Sequence, residues 1–577
     1  MPERDADAVI VGTGPAGATV AHVLTAAGKS VVMLEKGRNH LLSLDAPFGP
    51  LGHVSNDELK FTSRHFLGPD PMLEPRTYRN SETDGDRIFT GDVNNLPSTV
   101  GGGGFHADGK LPRFREVDFR AASELGPIDD AGLMDWPLDY DELEPYYAEA
   151  ERVVGVAGDA TANPFAAWRS GPYPMPPGPD MYCAVLTSEA ATGLGYHPYR
   201  APTGVNSIEY DGRPACNNCG FCASYGCPIE AKGDPVAPLR HALNTERCEI
   251  RPESYVTEVV LDADGRHARG VRYLDADGEL HEVTADHVVL GAGAFETPRL
   301  LLRSGVGNPD VVGRYLMYHL QTLVLGLFPF RLHAHRGRAV THLMDDPMGI
   351  DDETRNAARD AGLPYFRGGI VEHGGAGAPI MEAIHLPRGE THTRLMLDSL
   401  MRDRMAAFTM QGEDLPQATN RIDLDPTVRD VWGFPAGRVT YQSHRHEVAC
   451  AQHWGPRLEA VMRDAGADRT FWVTSPPIDG PAIDGPQIRG QTTGRAPGNP
   501  SPISRHIMGT ARMGDDPSTS VCDRWQRLHD VENVIIADSS VFPTSTGYGP
   551  TLTIVALAIR AARALAGLDP LRSERVA

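Results

Sequence analysis

Two groups of residues in this chain have the types and spacing that chemistry needs. The first is Gly12-Thr13-Gly14-Pro15-Ala16-Gly17, with Glu35 further along. The pattern G-x-G-x-x-G suits the pyrophosphate of a dinucleotide. Gly12 permits a tight turn, Gly14 lets the backbone approach the phosphates, and Gly17 lets a helix pack close to the preceding strand. A helix starting here would turn unpaired N–H groups toward the phosphates. Glu35 stands about 20 residues on, where a carboxylate accepts hydrogen bonds from ribose hydroxyls and repels a 2′-phosphate. This motif alone does not separate NAD from FAD.

The second group is Cys216-x2-Cys219-x2-Cys222-x4-Cys227, followed by Pro228. The first three thiols have the spacing of bacterial ferredoxin ligands, and the fourth precedes a proline. An iron–sulfur cluster, a zinc ion, or plain thiols and a disulfide in a structural loop are the readings open to it. The remaining cysteines, Cys183, Cys248, Cys450 and Cys522, read as buried hydrophobes.

These residues need elements to position them. Residues 8–12 (AVIVG) read as a strand, PAGATVAHVLTAAG as a helix ending at Gly28, and SVVML as a second strand ending at Glu35. Strand, glycine turn, helix and strand make a βαβ unit. Residues 40–95 read as an excursion over the surface, and 136–154 as a helix carrying aromatics and acids. Paired strands around a DADG turn are expected over 251–292, closing with the buried strand HVVLGAGA. Residues 325–500 show no βαβ repeat, while VIIADSSVFP from 534 is again a buried strand, followed by a helix over 551–567. The expected organisation is a discontinuous nucleotide-binding domain (1–165, 215–325 and 500–577) with an inserted second domain (166–214 and 326–499).

Bulk properties bound the function. At about 100–200 residues per domain, 577 residues suggest about three domain-sized units. A net charge of −22 argues against a nucleic-acid partner, because phosphate contacts need a basic face. The same acidity would attract a cationic substrate such as an amino sugar. No apolar run reaches the roughly 18 residues of a membrane span, so no transmembrane segment is expected. The N-terminus is acidic and enters a strand at once, with no positively charged or apolar leader, so a cytoplasmic location is expected.

Three further stretches separate the cofactors. They are Val100-Gly101-Gly102-Gly103-Gly104-Phe105-His106, the run from Gly291 to Gly305 (GAGAFETPRLLLRSG), and HIMGTARMG (506–514) continuing through Ala537-Asp538-Ser539-Ser540 to Pro550-Thr551-Leu552-Thr553. With the N-terminal glycines, the chain resembles the glucose–methanol–choline oxidoreductase family over nearly its whole length. GEDLPQATNRIDLD (412–425) and the cysteine loop are similar to the gluconate and sugar dehydrogenase branch.

The resemblance implies an α/β plus α+β protein: a Rossmann-like FAD-binding domain with an inserted substrate domain on a large antiparallel sheet. It implies FAD-dependent oxidation of an alcohol on a sugar, polyol, glycoside or amino sugar, with hydride passing to flavin N5 and His506 as catalytic base. An imidazole, with an ordinary pKa of about 6.5, suits that role. The implied cofactor residues are Gly12, Thr13, Gly14, Pro15, Ala16, Gly17, Glu35, Lys36, Gly101, Gly102, His106, Val256, Asp538, Gly549, Pro550 and Thr551. Pro550-Thr551 opens a helix whose dipole can stabilise negative charge at the reduced flavin edge. His106 stands where some members link the flavin covalently and others leave it free.

One position departs from the family. A second His or Asn normally precedes the Pro-Thr pair, and this chain has Gly549 there. Tyr548, His444, His446 and His453 are candidates to replace it. Oxygen, a quinone or a protein could take the electrons. An FAD-containing lyase of the same fold, or an electron-transfer subunit using an iron–sulfur loop at Cys216, Cys219, Cys222 and Cys227, are the competing readings.

Overall fold

The predicted βαβ unit is present as strand β1 (Ala6–Val11), helix α1 (Pro15–Ala26) and strand β2 (Val31–Leu34). The computed structural model describes residues 4–39, 70–91, 93, 96–220, 222, 226–375, 389–478 and 501–573. β1 and β2 are buried on both faces, which is why they read as continuous apolar runs rather than alternating ones. They pair in parallel, with α1 as the crossover.

Strands β3 (Arg76–Arg79), β4 (Phe89–Gly91), β5 (Pro198–Arg200), β6 (Cys248–Arg251), β7 (Tyr255–Leu261), β8 (Ala268–Leu274) and β9 (Leu280–Leu290) follow. Next come β10 (His319–Leu327), β11 (Val340–Met344), β12 (Val371–Gly375) and β13 (Met405–Glu413). The last are β14 (Arg421–Arg429), β15 (Pro435–Thr440), β16 (Arg469–Ser475) and β17 (Val534–Ile536). Helices α2 (Tyr140–Val154), α3 (Gly293–Ser304) and α4 (Thr551–Leu565) support the site.

The first sheet runs β6-β2-β1-β9-β8-β7, with β17 also paired to β9. β6, β2, β1, β9 and β17 are parallel, so strands from both ends of the chain share one sheet. Val11 and Ile536 both lie opposite Leu290. The C-terminal ends of β1, β9 and β17 therefore open onto one edge, where a parallel sheet of this type places its ligands. Alanines Ala16, Ala18 and Ala21 of α1 and Ala558 and Ala562 of α4 bring the two helices close over this sheet.

The second sheet, β16-β10-β13-β12-β11-β5, is antiparallel throughout, as the family resemblance implies. A third sheet, β14-β15-β3-β4, joins residues 76–91 to residues 421–440, so it draws on both of the expected domains. This corrects the expectation of a surface excursion. Residues 40–69 lie outside the described residues, but Glu74, Arg76, Tyr78 and Arg79 are buried. RTYR shows no apolar pattern because partners distant in sequence satisfy its charges. The Arg76 guanidinium meets Glu296 at 2.8 Å, and Thr77 donates to Asp425 at 2.9 Å. Among the described residues no helix is long and apolar enough to cross a membrane.

Gly12 shows how tightly the glycine turn is held. Its φ is +93°, and a Cβ there would lie 2.5 Å from the Gly291 carbonyl oxygen at the end of β9. Both the backbone angle and the contact exclude a side chain. Gly12→Ala is expected to cost about 1–3 kcal/mol and to yield protein depleted in flavin, measured by thermal melting and by flavin absorbance per mole of chain. Wild-type values for both would contradict this account of the turn.

Candidate active site

One cavity of about 520 Å³ runs from the C-terminal edge of the first sheet to the face of the second. At one end, Gly14, Pro15 and Ala16 present the start of α1 to it. That helix has no side-chain cap, and Pro15 occupies its first turn, so its leading N–H groups have no side-chain acceptor. A Cβ on Gly14 would meet nothing within 4 Å, so the backbone is open to an approaching group. Gly102, with φ +53°, lies over it, and a Cβ there would come within 3.0 Å of the Gly14 Cα. These are the features of a phosphate cradle.

Not every residue of the motif faces the cavity. Thr13 lies behind the wall: its hydroxyl donates to Glu35 Oε2 at 2.7 Å and accepts from the Gly101 amide at 3.0 Å. Gly17 is a packing position, where a Cβ would overlap the Gly12 carbonyl. Glu35 lines the cavity and also accepts from the Gly37 amide at 2.9 Å. Burial pushes its carboxyl up, while the Gly37 and Thr13 donors pull it down. Lys36 faces the same region and is paired to Glu74 at 2.7 Å, with Glu296 and Arg76 completing a buried ionic network. Val256 and its neighbours Ser254 and Tyr255 form the wall beside them.

Asp538, just beyond β17, lies mid-cavity. Its carboxylate accepts from the Gly293 amide at 2.9 Å, the Thr297 hydroxyl at 2.6 Å and the Ser540 amide at 2.9 Å. It thereby ties the end of β17 to the start of α3. Pro550 and Thr551 expose the uncapped start of α4 to the cavity. His106 is buried in the opposite wall, its ring edge-on to Phe105 at 5.1 Å.

His506 lines the far end of the cavity. Burial, with nearby His319, Lys110 and Arg505, holds its imidazole well below the usual histidine range. The imidazole is therefore neutral at ordinary pH. Gly549 lies beside it: a Cβ there would be 3.7 Å from His506 Cε1 and 3.8 Å from Nε2. Gly549 is not part of the cavity wall, but its missing side chain leaves the Nε2 edge uncovered.

The four candidates for the missing partner lie elsewhere. Tyr548 is buried and donates to Asp345 at 2.6 Å. His446 accepts from the Arg367 amide at 3.0 Å, and His444 caps the helix over 445–464. His453 packs against Phe366. None of the four lines the cavity. The residue that sequence reasoning missed is His319, the first of β10, whose Nδ1 lies 2.9 Å from His506 Nδ1. It precedes His506 by 187 residues, so no local pattern could reveal the pair.

Side chains from the antiparallel sheet form a polar floor near His506. Gln321 donates to Gln411 at 3.1 Å, and Gln411 donates to Glu372 at 3.0 Å. Lys110 bridges Glu372 at 2.5 Å and Asp108 at 3.0 Å.

The cysteine loop packs behind this wall, and Lys232 hydrogen-bonds the carbonyls of both Phe105 and Cys222. No three of Cys216, Cys219, Cys222 and Cys227 bring their sulfurs within 4.8 Å of one another. Among the described residues, the one group of His, Cys and acid side chains that meets this distance is His333, His335 and Asp403. Cys183, Cys450 and Cys522 are buried as expected, and Cys248 is half-buried.

Family models described as GMC oxidoreductase match residues 187–321 and 416–558, and an FAD binding domain model matches residues 5–43. The chain is 30% identical to a 2-methyl-1,2-propanediol dehydrogenase of Mycolicibacterium austroafricanum, covering 96% of this chain and 94% of the relative. It is 28% identical to the gluconate 2-dehydrogenase flavoprotein of Pantoea cypripedii, covering 97% and 94%. It is 30% identical to a 6'''-hydroxyparomomycin C oxidase of Streptomyces lividus, covering 98% and 92%.

The chain belongs to the GMC oxidoreductase family. It is an FAD-dependent alcohol oxidoreductase. The cavity fits that cofactor. The bare α1 terminus and Gly14 suit the pyrophosphate, Glu35 the ribose, and the α4 terminus the electron-rich edge of a reduced flavin.

Glu35→Ala removes an acceptor at the ribose position and also leaves the Thr13 and Gly37 donors without it. Affinity for FAD is expected to fall about 10–100-fold, measured by titrating apoprotein with FAD. Unchanged affinity would place the ribose elsewhere.

Proposed function

We propose that the chain oxidises a secondary or primary alcohol of a small, neutral, polyhydroxylated substrate, a sugar or polyol, with His506 accepting the hydroxyl proton. The carrying observation is that a neutral imidazole faces the same cavity as the dinucleotide cradle, beside a floor of amide and carboxylate side chains. Bound FAD supplies the hydride acceptor.

The remaining work falls to the chain. His506 Nε2 accepts the O–H proton as the carbon–hydrogen pair departs and the carbon–oxygen double bond forms. Gly549 leaves room for the substrate oxygen at that nitrogen. The Lys110 and Arg505 cations lie close enough to His506 to depress its pKa, and so also stabilise negative charge developing on the substrate oxygen. Gln321, Gln411 and Glu372 offer both donors and acceptors to neighbouring hydroxyls.

Charge selects within the substrates of the relatives. Two carboxylates, Asp108 and Glu372, are matched by the two cations Lys110 and Arg505. A site with balanced charge favours a neutral polyol over a polycationic amino sugar, despite the acidity of the whole chain.

Two measurements test this reading. His506→Ala is expected to retain FAD while slowing anaerobic flavin reduction by at least about 10²-fold. A variant that reduces at the wild-type rate would remove His506 from the chemistry. In the wild type, reduction requires neutral His506, whose pKa lies below 6.5, so the rate falls as pH drops through that lower pKa. The acid limb of the reduction rate is expected below pH 6.5, and a limb at or above pH 7 would contradict the assignment.

A further inference from the structure

The structure assigns His319 a positioning role: it holds a proton on His506 Nδ1 and so leaves Nε2 as the basic face toward the substrate. This rests on the proposal that His506 is the base.

Backbone geometry makes the pair. Met317 and Met508 exchange two backbone hydrogen bonds, both 3.0 Å, as an antiparallel bridge. Two residues further along one strand is His319, and two residues back along the other is His506. In an antiparallel pair these positions face each other on one side of the ribbon. The rings meet at 85° with centroids 4.9 Å apart, and the two Nδ1 atoms are 2.9 Å apart.

Two imidazole nitrogens at that distance need one proton between them. Two lone pairs would repel, and so would two N–H groups. The open question is which ring owns the proton. The backbone oxygens of Ser545 and Thr546 and the Gln411 side chain surround the His319 ring, and none of them meets hydrogen-bond geometry at its buried Nε2. Oxygen atoms around the ring attract an N–H rather than a lone pair, so their field favours a proton on His319 Nε2 and leaves its Nδ1, which faces His506, as an acceptor. His506 then donates through Nδ1, and its Nε2 carries the lone pair. That edge is the one Gly549 leaves uncovered.

His319 is well anchored for this role. It is fully buried, and burial lowers its pKa to about 4, so it stays neutral. The Asp414 carboxylate accepts from the amides on either side of it, Tyr318 at 2.7 Å and Leu320 at 2.9 Å. Tyr441 donates to the same carboxylate at 2.5 Å, and the Asp414 amide donates to the Ser545 hydroxyl at 3.0 Å. Asp414 lies in GEDLPQ, the start of the 412–425 stretch that is similar to the gluconate and sugar dehydrogenase branch. The charged groups near His506 are Lys110 and Arg505, with Asp108 and Glu372 paired to Lys110. Lys110 and Arg505 lack an acceptor that could take the His506 Nδ1 proton.

Three proteins test the role: His319→Leu, which removes the acceptor, His319→Asn, whose amide oxygen can replace Nδ1, and His506→Ala as reference. His319→Leu is expected to slow anaerobic flavin reduction by a polyol at least about 10-fold, with substrate Kd changed less than about 3-fold. Its acid limb should move to lower pH, because the neutral acceptor that stabilises the Nδ1–H of protonated His506 is gone. His319→Asn should recover most of the rate. Nitrogen-15 spectra of histidine-labelled wild type should show the signal lost in His506→Ala as the Nδ1–H tautomer, a readout independent of turnover. His319→Leu with a wild-type rate and pH profile, His319→Asn no faster than His319→Leu, or an Nε2–H tautomer for His506 would each overturn the inference. If His319→Leu fails to fold, the asparagine variant and the labelled wild type decide it. A wild-type rate in His506→Ala would instead overturn the base assignment itself.

Discussion

The parallel pairing of β1, β9 and β17 is the constraint on which the site depends. These strands come from the first, middle and last parts of the chain, and Val11, Leu290 and Ile536 lie in register across them. Parallel strands end together, so the glycine turn, the start of α3 and Asp538 reach the same edge. Asp538 then joins two of those ends through its bonds to Gly293 and Thr297. A slip of one residue in either ladder would turn every side chain to the opposite face and break this convergence.

The antiparallel sheet supplies what the parallel one cannot. Its strands alternate, so β10, β12 and β13 offer Gln321, Glu372 and Gln411 to the cavity while their other faces fill a separate apolar core. Between the two sheets, the Met317–Met508 bridge brings a C-terminal segment alongside the start of β10. The His506 imidazole thus sits at a seam: one side faces the nucleotide cradle, the other a sheet rich in hydrogen-bonding groups. The two uncapped helix starts, α1 and α4, aim positive dipole ends at the same cavity.

How much of this was legible in the sequence depends on how local its cause is. Gly12, Gly14, Gly17 and Glu35 were legible because strand, turn and helix are continuous in the chain. The inserted antiparallel sheet was legible only through the resemblance to a family. Arg76 and Tyr78 were misread because their burial depends on Glu296, Tyr441 and other remote partners. His319 was invisible because a cross-strand contact has no local signature. Gly549 was recognised as a departure, yet what stands in relation to it became clear only when both histidines were seen on facing strands. The cysteine spacing matched a ligand pattern, but spacing cannot say whether a loop folds its sulfurs together.

The central claim is that one cavity holds the dinucleotide on the β1–β9–β17 edge with its reactive ring beside His506. A crystal structure of the FAD-loaded protein with a non-oxidisable polyol tests it most directly. The account predicts the pyrophosphate on the Gly14–Ala16 amides, the ribose on Glu35, and a polyol hydroxyl in hydrogen-bond contact with His506 Nε2. A flavin ring lying away from His506, or a polyol bound with no contact to it, would contradict the account.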